Sequence, residues 1–334
     1  MEDTLLEVRD LQVEFSTKMG IVRVLDKVNL KVDPRQTVGI IGESGCGKSM
    51  MALSIMGLVP IPPGRIAGGE ILYRGTDLLT LEKDAILAIR GKRIAMIFQE
   101  PMNSLNPVFT VGNQLVETLL RHEDMTRRDA WDKSVDMLKA VGIPSPEKRM
   151  HDYSFQMSGG MRQRVMIAIA LACEPKLLIA DEPTTALDVT IQAQILELMQ
   201  ELRKKLGMSI IMITHDLGVV ASMCEKIAVM YAGHIVEYGT TDEIFYQPGH
   251  EYTKGLINSI PKLNTEVRER LVPIEGTPVD LLNPPAGCPF APRCKNCMKI
   301  CLSKMPPRTE LSDTHYTYCW LQQKAAFEKG EKAE

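Results

Sequence analysis

The stretch Gly42–Ser49, GESGCGKS, decides the fold of this chain. It follows the apolar run TVGII and precedes the run SMMALSIMGLV, so a buried strand leads into a glycine loop and the loop leads into a helix. Glycines let backbone N–H groups curl around phosphate oxygens, and the helix N-terminus adds a partial positive charge. Lys48 would reach the terminal phosphates, and Ser49 would bind Mg²⁺. The stretch therefore predicts a phosphate-binding loop for ATP.

The residues expected around the nucleotide are those of the loop and of the first turn of its helix. They are Gly42, Ser44, Gly45, Cys46, Gly47, Lys48, Ser49 and Met50. A plain glycine turn in front of a buried helix is the alternative. That alternative does not explain why strand, glycines, lysine, hydroxyl and helix coincide.

An acidic motif follows about 130 residues after the loop. The buried run in KLLIADEP ends in Asp181 and Glu182. Asp181 would hold Mg²⁺ directly or through water, and Glu182 would act as the general base that polarises the attacking water. A solvated acidic end of a strand is the alternative when this motif is taken alone. Together with the phosphate loop, the motif predicts a nucleotide hydrolase.

Outward from these motifs, apolar strands alternate with helices. The runs TVGII, RIAMIF, KLLIA and SIIMIT have the composition of buried strands, and IQAQILELMQELRKKLG is an amphipathic helix that ends at Gly207. This alternation predicts an α/β fold with a mostly parallel sheet. Two runs with alternating polarity in residues 5–32 predict an antiparallel β subdomain, and IAVMYAGHIVEYG predicts a hairpin.

Two segments depart from this alternation. Residues 101–175 carry helical patterns, among them VGNQLVETLL, RDAWDKSVDMLKAV and a helix opening after SGGMRQR, and we expect an inserted helical subdomain there. From Pro261 to Trp320 the periodicity disappears, and nine of the twenty prolines fall in this segment. The chain is therefore expected to divide into a nucleotide-binding domain, 1–260, and a small irregular domain, 261–334.

Charge and apolar content limit the expected partners. The formal net charge is −3 with acidic and basic residues interspersed, which leaves no basic face for nucleic acid. The N-terminus MEDTLLEVRD lacks the pattern of a signal peptide, and the longest apolar run, Val165–Cys173, is too short to span a bilayer. We expect a cytoplasmic protein that reaches a membrane only through partners.

Six motifs in order indicate a family. After the phosphate loop come Gln99 behind RIAMIF, the SGG of MSGGMRQR, ADE, the ALD that ends at Asp188, and ITHD with His215. With these motifs the chain resembles the ATP-binding subunits of ABC transporters over residues 5–260. The resemblance implies an ATPase in which two such domains close head to tail around ATP and Mg²⁺.

In that family the signature helix of one subunit faces the nucleotide of the other. Ser158, Gly159 and Gly160 would therefore cap the γ-phosphate held by the phosphate loop of the second subunit, and a glycine-lined helix end suits this close approach. Asp188 would contact the opposite subunit. Methionines stand where the family usually has leucine and glutamine on either side of SGG. Because the serine and the glycines remain, the phosphate capping is expected to survive, but without the contacts of the usual glutamine side chain.

The same resemblance assigns three further roles. Gln99 would contact Mg²⁺ and the lytic water and would report the nucleotide state to the membrane subunit. His215 would hold the γ-phosphate and position the water. Phe15 would stack on adenine by analogy with the aromatic residue found early in the family; a phenylalanine in a β-strand core fits the sequence equally well.

The tail and the signature resemble one branch of the family. The sequence GCPFAPRC, the signature MSGGMRQR and the run QEPMNSLNP are similar to ATP-binding subunits of dipeptide and oligopeptide importers. The branch implies a heterodimer with a related ATPase, two membrane permeases and an external peptide-binding protein, with this chain at the cytoplasmic face of the membrane. Nickel and glutathione importers share the architecture, and a soluble ABC ATPase of non-transport function is a further alternative.

Four cysteines lie within Gly287–Cys301, and Cys319 follows. In a reducing compartment such a cluster favours metal binding or redox chemistry over disulfides. In the family the extension can hold a [4Fe–4S] cluster, and the matching positions are Cys288, Cys294, Cys301 and Cys319. Zn²⁺ would accept the same set of thiolates, and free thiols are the remaining alternative. Cys297 does not fit the spacing and leaves one ligand open.

Overall fold

The structure, a computed structural model, describes residues 4–99, 105–184, 188–259 and 273–323. Parts of three predictions lie outside these ranges: the start of the inserted subdomain, residues 186 and 187 of the ALD motif, and the boundary between the two expected domains. The described residues fall into two compact units. The first unit takes its residues from 1–6, 32–37 and 72–214, and the second takes them from 7–31, 38–71 and 215–334.

Twelve strands are present in the described residues. They are β1 Leu6–Thr17, β2 Gly20–Val32, β3 Thr37–Ile41, β4 Gly64–Tyr73, β5 Thr76–Asp77, β6 Ile94–Ile97, β7 Leu177–Asp181, β8 Ser209–Ile213, β9 Lys226–Tyr231, β10 His234–Thr240, β11 Thr309–Glu310 and β12 Tyr316–Thr317.

Ten α-helices of the described residues lie between these strands along the chain. They are α1 Lys48–Ile55, α2 Lys83–Ile89, α3 Val111–His122, α4 Arg127–Ala140, α5 Pro146–Arg149, α6 Gly159–Leu171, α7 Val189–Leu206, α8 Leu217–Met223, α9 Thr241–Tyr246 and α10 Glu251–Asn258.

The sheet of the first unit confirms the predicted parallel strands. β6 pairs with β7 and β7 pairs with β8, both in parallel register. All five residues of β7 and all five of β8 are buried. A strand buried on both faces needs apolar side chains on both, which is why KLLIA and SIIMIT show no alternation.

The predicted helical insertion lies between β6 and β7. It contains helices α3 to α6, and the described residues between these two strands contain no strand. Thr110, Thr126 and Ser158 begin α3, α4 and α6, and each side chain accepts a backbone N–H from the first turn. Helix α6 begins at Gly159, inside the signature; the expectation that it opens after SGGMRQR placed its start too late.

The second unit combines parallel and antiparallel strands. β3 pairs with β9 in parallel, and β9 forms the predicted antiparallel hairpin with β10. β1 and β2 are neighbours joined by only two residues, and β1 also neighbours β4, as the alternating runs predicted for this small sheet. These pairings confirm the predicted α/β class.

The cysteine-rich segment adds strands to the second unit. β12 pairs antiparallel with β10, placing Thr317 opposite Glu237, and β11 pairs with β12. Glu237 is fully buried and accepts backbone N–H groups of Gly249 and His250, and the Nε2 atom of His315 lies 2.7 Å from it. A segment with too little apolar content for its own core is therefore held by a buried polar network.

The apolar runs of this chain form buried strands and helices. No helix among the residues that the structure describes is both long enough and apolar enough to cross a bilayer.

Candidate functional site

The phosphate loop has the shape that its glycines predict. Gly42 has φ 153° and Gly47 has φ 107°, a region that other residues rarely adopt. A Cβ at Gly42 would lie 2.1 Å from the Met230 carbonyl oxygen, and one at Gly47 would lie 2.8 Å from Leu25 Cδ2. A Cβ at Gly45 would meet no described atom within 4 Å. The loop is thus packed on its strand side and open where an anion would sit.

Lys48 is folded back over the loop. Its Nζ donates hydrogen bonds to the carbonyl oxygens of Gly42 at 2.8 Å and Glu43 at 2.9 Å, and the residue is 7% exposed. The ammonium group therefore lies across the concave side of the loop. The partners of this buried cation among the described residues are two loop carbonyls and the Cys46 sulfur, all uncharged, and a phosphate would supply a stronger, charged acceptor.

The rest of the loop is arranged around the start of α1. Ser44 and Gly45 are exposed, whereas Ser49 and Met50 are half-buried in the first turn. Cys46 is buried, and burial raises the pKa of its thiol, so it stays protonated as part of the loop's packing. Gly47 has no side chain with which to cap α1, so the first N–H groups of the helix are left for an anion.

The first unit brings two predicted catalytic residues together. The Gln99 amide donates a 3.1 Å hydrogen bond to the Glu182 carboxylate. Asp181 ends β7 and is 3% exposed, while Glu182 turns out of the strand with φ 47°. The Glu182 N–H still bonds to the Ile213 carbonyl of β8 at 2.8 Å. The backbone therefore turns out of the buried strand at Glu182, and the Glu182 carboxylate contacts the Gln99 amide.

The signature residues form an exposed helix end. Ser158 caps α6 by accepting the Met161 N–H at 3.3 Å. Gly159 is exposed, and a Cβ on it would meet nothing among the described atoms within 4 Å. Gly160 packs against Ile191 at the start of α7. The N-terminus of α6 is accordingly free of bulky side chains at its tip.

A residue of this helix that the sequence reasoning missed is Gln163. It is fully buried, and its amide donates a hydrogen bond to the Pro183 carbonyl, directly after Glu182. The signature helix is thereby tied to the acidic motif. A buried glutamine on an otherwise apolar helix face was the available sequence signal.

The other predicted residues occupy separate positions. Asp188 begins α7 and accepts the Ile191 N–H at 2.9 Å, so part of its carboxylate is used as a helix cap. His215 is exposed just beyond β8, and the following Asp216 caps α8. Phe15 is half-buried in β1, with its ring edge against Gly64. These contacts do not test the roles predicted for the three residues toward the nucleotide and the second subunit, which stay predictions.

Four of the five tail cysteines line one cavity. Cys288, Cys294, Cys301 and Cys319 face it together with His250. Burial raises the pKa of the Cys288 thiol to about 12 and that of Cys294 to about 11. As the side chains stand, no group of three or more His, Cys, Asp or Glu among the described residues is arranged to hold a metal ion.

The fifth cysteine lies outside the cavity. Cys297 is exposed, and its Sγ lies 3.6 Å from the Met298 carbonyl oxygen. The lining of the cavity therefore includes the four thiols with the predicted spacing but not Cys297, whose thiol interacts with that of Cys301.

The donor atoms fit the predicted cofactors in kind. Ser49, Gln99 and Asp181 offer the hydroxyl, amide and carboxylate oxygens that Mg²⁺ prefers. The four cavity thiols offer the sulfur ligands that iron–sulfur clusters take. Burial raises the pKa of the Cys288 thiol, so a metal would have to replace its proton for the thiolate to form.

Known protein families match both parts of the chain. The family described as "ABC transporter" matches residues 25–185, and the family described as "Oligopeptide/dipeptide transporter, C-terminal region" matches residues 236–301. An AAA domain family, described as a putative AbiEii toxin, matches residues 151–221 inside the nucleotide-binding part.

Curated relatives align over nearly the whole chain. The oligopeptide transport ATP-binding protein OppD of Bacillus subtilis is 55% identical, covering 95% of this chain and 88% of that protein. The dipeptide transport ATP-binding protein DppD of the same organism is 52% identical, covering 97% and 96%. The oligopeptide transport ATP-binding protein OppD of Escherichia coli is 50% identical, covering 95% and 93%.

Solved structures share the fold. A bacterial ABC transporter cassette solved as a dimer has a TM-score of 0.64 and 27% identity, covering 71% of this chain and 98% of that one. An ATP-binding cassette in a post-hydrolysis state with ADP and Pi has a TM-score of 0.64 and 26% identity, with the same coverage. These likenesses confirm the predicted cassette fold.

Proposed function

The chain belongs to the ABC transporter family of ATP-binding subunits, in its oligopeptide and dipeptide branch, and we propose that it hydrolyses ATP to drive peptide import. The observation that carries ATP binding is the phosphate loop, with its open glycine face and Lys48 folded across it. The assignment to peptides is supported by the relatives, three of which carry oligopeptide or dipeptide transport in their names.

The loop and the acidic motif would divide the work on ATP. Lys48 binds the terminal phosphates, and the N–H groups at the start of α1 receive the phosphate oxygens. Ser49, Asp181 and Gln99 supply oxygens for Mg²⁺, which neutralises phosphate charge when bound.

Hydrolysis would rest on Glu182. Its carboxylate is held by the Gln99 amide and projects from the end of β7, where it accepts a proton from the attacking water. His215, exposed after β8, holds the γ-phosphate and orients that water. Phe15 supplies a face for adenine.

Two cassettes are needed for a complete site. The N-terminus of α6 is exposed and capped by Ser158, and one relative of known structure is a dimer. We therefore assign Ser158, Gly159 and Gly160 to the γ-phosphate of a second, related ATPase, with Asp188 at the same contact. A heterodimer follows the pattern of importers with two non-identical ATPases.

The membrane partner would be a pair of permeases. In the first unit, a groove is lined by Phe109, Val116 and Leu120 together with the polar residues Asn113, Glu117, Arg121 and Arg127, and Phe109 is 48% exposed. Exposed apolar grooves mark interaction surfaces. A cytoplasmic segment of a permease seated here would touch the unit that also carries Gln99 and Glu182. An external peptide-binding protein would deliver the substrate, and the chain would lie at the cytoplasmic face.

The cysteine cavity would hold a [4Fe–4S] cluster. Its support is the gathering of Cys288, Cys294, Cys301 and Cys319 around one cavity while Cys297 lies outside. When bound, a cluster joins four positions of a proline-rich segment and supplies folding free energy. Zn²⁺ on the same thiolates remains the alternative.

The transport proposal is tested in cells that express this chain with and without its permeases. Peptide uptake that requires the chain, together with membrane association that requires the permeases, supports the proposal. Uptake of nickel or glutathione in place of peptides, or ATPase activity with no dependence on permeases, contradicts it. Neither of those alternatives finds support in the relatives.

The cluster proposal is tested by metal analysis of anaerobically purified protein. About four irons and four acid-labile sulfides per chain are expected, and Cys297→Ser should retain them while Cys294→Ser loses them. Zinc in place of iron, or loss of iron in Cys297→Ser, contradicts this ligand set.

A further inference from the structure

The phosphate loop contains an acidic residue, Glu43. The loop motif leaves this position open, because phosphate binding there uses backbone N–H groups rather than this side chain. A carboxylate so close to bound triphosphate would repel it unless another charge cancels its own. Glu43 therefore requires a compensating cation.

Arg293 from the cysteine-rich segment supplies that cation. Its Nη1 lies 2.6 Å from Glu43 Oε2, and its Nη2 lies 2.9 Å from Glu43 Oε1. This two-pronged pairing is the strong geometry for arginine and carboxylate. The Arg293 side chain is 4% exposed and the Glu43 side chain 26% exposed, so the pair is partly shielded from water.

The remaining donors of Arg293 are also used. Nε donates to the Glu275 carbonyl at 3.0 Å, Nη2 donates to the Ile274 carbonyl at 3.3 Å, and Nη1 lies 3.4 Å from the Tyr231 hydroxyl. All five N–H donors of the guanidinium thus have an acceptor. These additional hydrogen bonds hold the guanidinium group in the orientation in which it pairs with Glu43.

The backbone of Glu43 is held from the same side. Its N–H donates a 2.8 Å hydrogen bond to the hydroxyl of Tyr252, which is fully buried. The Tyr252 ring packs on Tyr231 and Phe290, with ring centroids 4.6 and 5.4 Å away. Glu43 is therefore fixed by both its side chain and its backbone to residues far along the chain.

We propose that Arg293 is a positioning residue of the ATP site, which cancels the charge of Glu43 and holds the first turn of the phosphate loop in its binding shape. The inference rests on the proposed ATPase function. It makes the cysteine-rich segment part of the nucleotide site, because Arg293 directly precedes Cys294 of the cavity.

The test is a double-mutant cycle on the purified full chain, with the equilibrium dissociation constant for MgATP as its first readout. Arg293→Ala should raise that constant by about tenfold or more, as expected for one uncompensated charge close to the phosphates. Adding Glu43→Gln to Arg293→Ala should recover most of the loss. Arg308→Ala is the matched control, since this arginine of the same segment pairs with Glu310 and leaves the loop untouched.

The outcomes separate positioning from mere folding. A double variant that binds as weakly as Arg293→Ala would mean that the arginine acts through general stability, and Arg293→Ala binding within twofold of the parent would exclude the role. In the assembled transporter, KM for ATP should rise more than kcat falls. A parent chain that binds no MgATP contradicts the proposed function itself.

A second inference concerns His250 and stands on a separate observation. His250 is 1% exposed and lines the cavity with the four cysteines. Its Nδ1 accepts the Tyr252 N–H at 3.1 Å, so the ring proton is on Nε2. That Nε2 makes no hydrogen bond to any residue described by the structure. A buried donor without an acceptor is costly, which indicates that the cavity's occupant supplies one.

We infer that the Nε2–H of His250 donates to a sulfur of the group bound in the cavity. This inference rests on the proposed cluster. A hydrogen bond to sulfur stabilises the more negative, reduced state, so it raises the reduction potential. His250→Leu should therefore lower the potential found by redox titration, and His250→Gln, which keeps an N–H donor, should restore part of it.

The result distinguishes this inference from the cluster itself. A cluster that assembles in His250→Leu with an unchanged potential contradicts the hydrogen bond alone. Protein without iron and sulfide in both the parent and the variant contradicts both proposals.

Discussion

The side-chain amide of Gln99 donates a hydrogen bond of 3.1 Å to the carboxylate of Glu182. A carboxylate only accepts, so the amide nitrogen of Gln99, rather than its oxygen, must face Glu182. The two residues are 83 positions apart and come from different motifs. Their contact means that a movement of Gln99 changes the environment of the proposed general base.

Replacing Glu182 by Gln should separate binding from turnover. The variant keeps the size of the side chain and removes its basicity, so the ATPase rate should fall about 100- to 10,000-fold while MgATP still binds. Single-turnover hydrolysis and equilibrium binding on the same preparation check this. Undiminished hydrolysis would remove Glu182 from the role of general base.

Gln163→Leu should disturb the position of the proposed general base, Glu182, through the residue that follows it. The change removes the hydrogen bond to the Pro183 carbonyl, which leaves a buried acceptor unsatisfied at a cost of about 1–3 kcal/mol. We expect kcat to fall with little change in KM, because the segment after Glu182 loses its anchor. Glu197→Leu, on the exposed face of α7, is the control. Equal kcat for both variants would contradict the positioning role.

Ser158→Ala tests the signature helix. Both Ser158 and Thr126 cap a helix through the side-chain oxygen, so Ser158→Ala and Thr126→Ala should each lower the free energy of unfolding by about 1 kcal/mol. Only Ser158→Ala should also reduce ATP hydrolysis by the assembled dimer, since only that hydroxyl lies at the proposed phosphate cap. Equal loss of hydrolysis in both would trace the effect to stability.

Glu237→Ala should unfold the second unit more readily. The change leaves His315 and two backbone N–H groups buried without their acceptor, at a cost of about 3–5 kcal/mol in the free energy of unfolding. Glu310→Ala removes an exposed carboxylate of the same segment and should cost about 0–1 kcal/mol. Denaturant unfolding of both variants is the measurement, and similar unfolding midpoints for the two would contradict the anchoring role of Glu237.

Acid should loosen the tail through Glu243. Burial by itself raises the pKa of this carboxyl, but hydrogen bonds from Ser312, Thr240 and Thr314 outweigh it and lower the pKa from 4.5 to about 2. A folded pKa below the unfolded one stabilises the protein above about pH 4.5, and this contribution is lost as the pH falls toward 2.

The pH dependence has a direct measurement. Glu243→Gln should be less stable than the parent at pH 6, and the difference should shrink as the pH falls below 4.5. Asp242→Asn, at the neighbouring exposed position, is the control. A stability difference that stays constant with pH would contradict the assignment to this carboxyl.

The sequence by itself determined the order of motifs, the buried strands and the helical insertion. Local chemistry was sufficient for these, because an apolar run such as KLLIA suits a strand that is buried on both faces, as in a parallel sheet, and GESGCGKS needs its glycines wherever it occurs. One boundary was wrong: at Gly159 the capping hydroxyl of Ser158, rather than the apolar pattern, sets the start of α6.

The tertiary structure alone decided which distant residues meet. Arg293 and Glu43 are 250 positions apart, and no periodicity or spacing relates them. The four cavity cysteines are separated from Cys297 by the direction in which each side chain leaves an irregular backbone, and His250 joins them from the start of α10. Such contacts depend on packing across the whole unit, because burial and charge pairing act between surfaces that the chain brings together only when it folds.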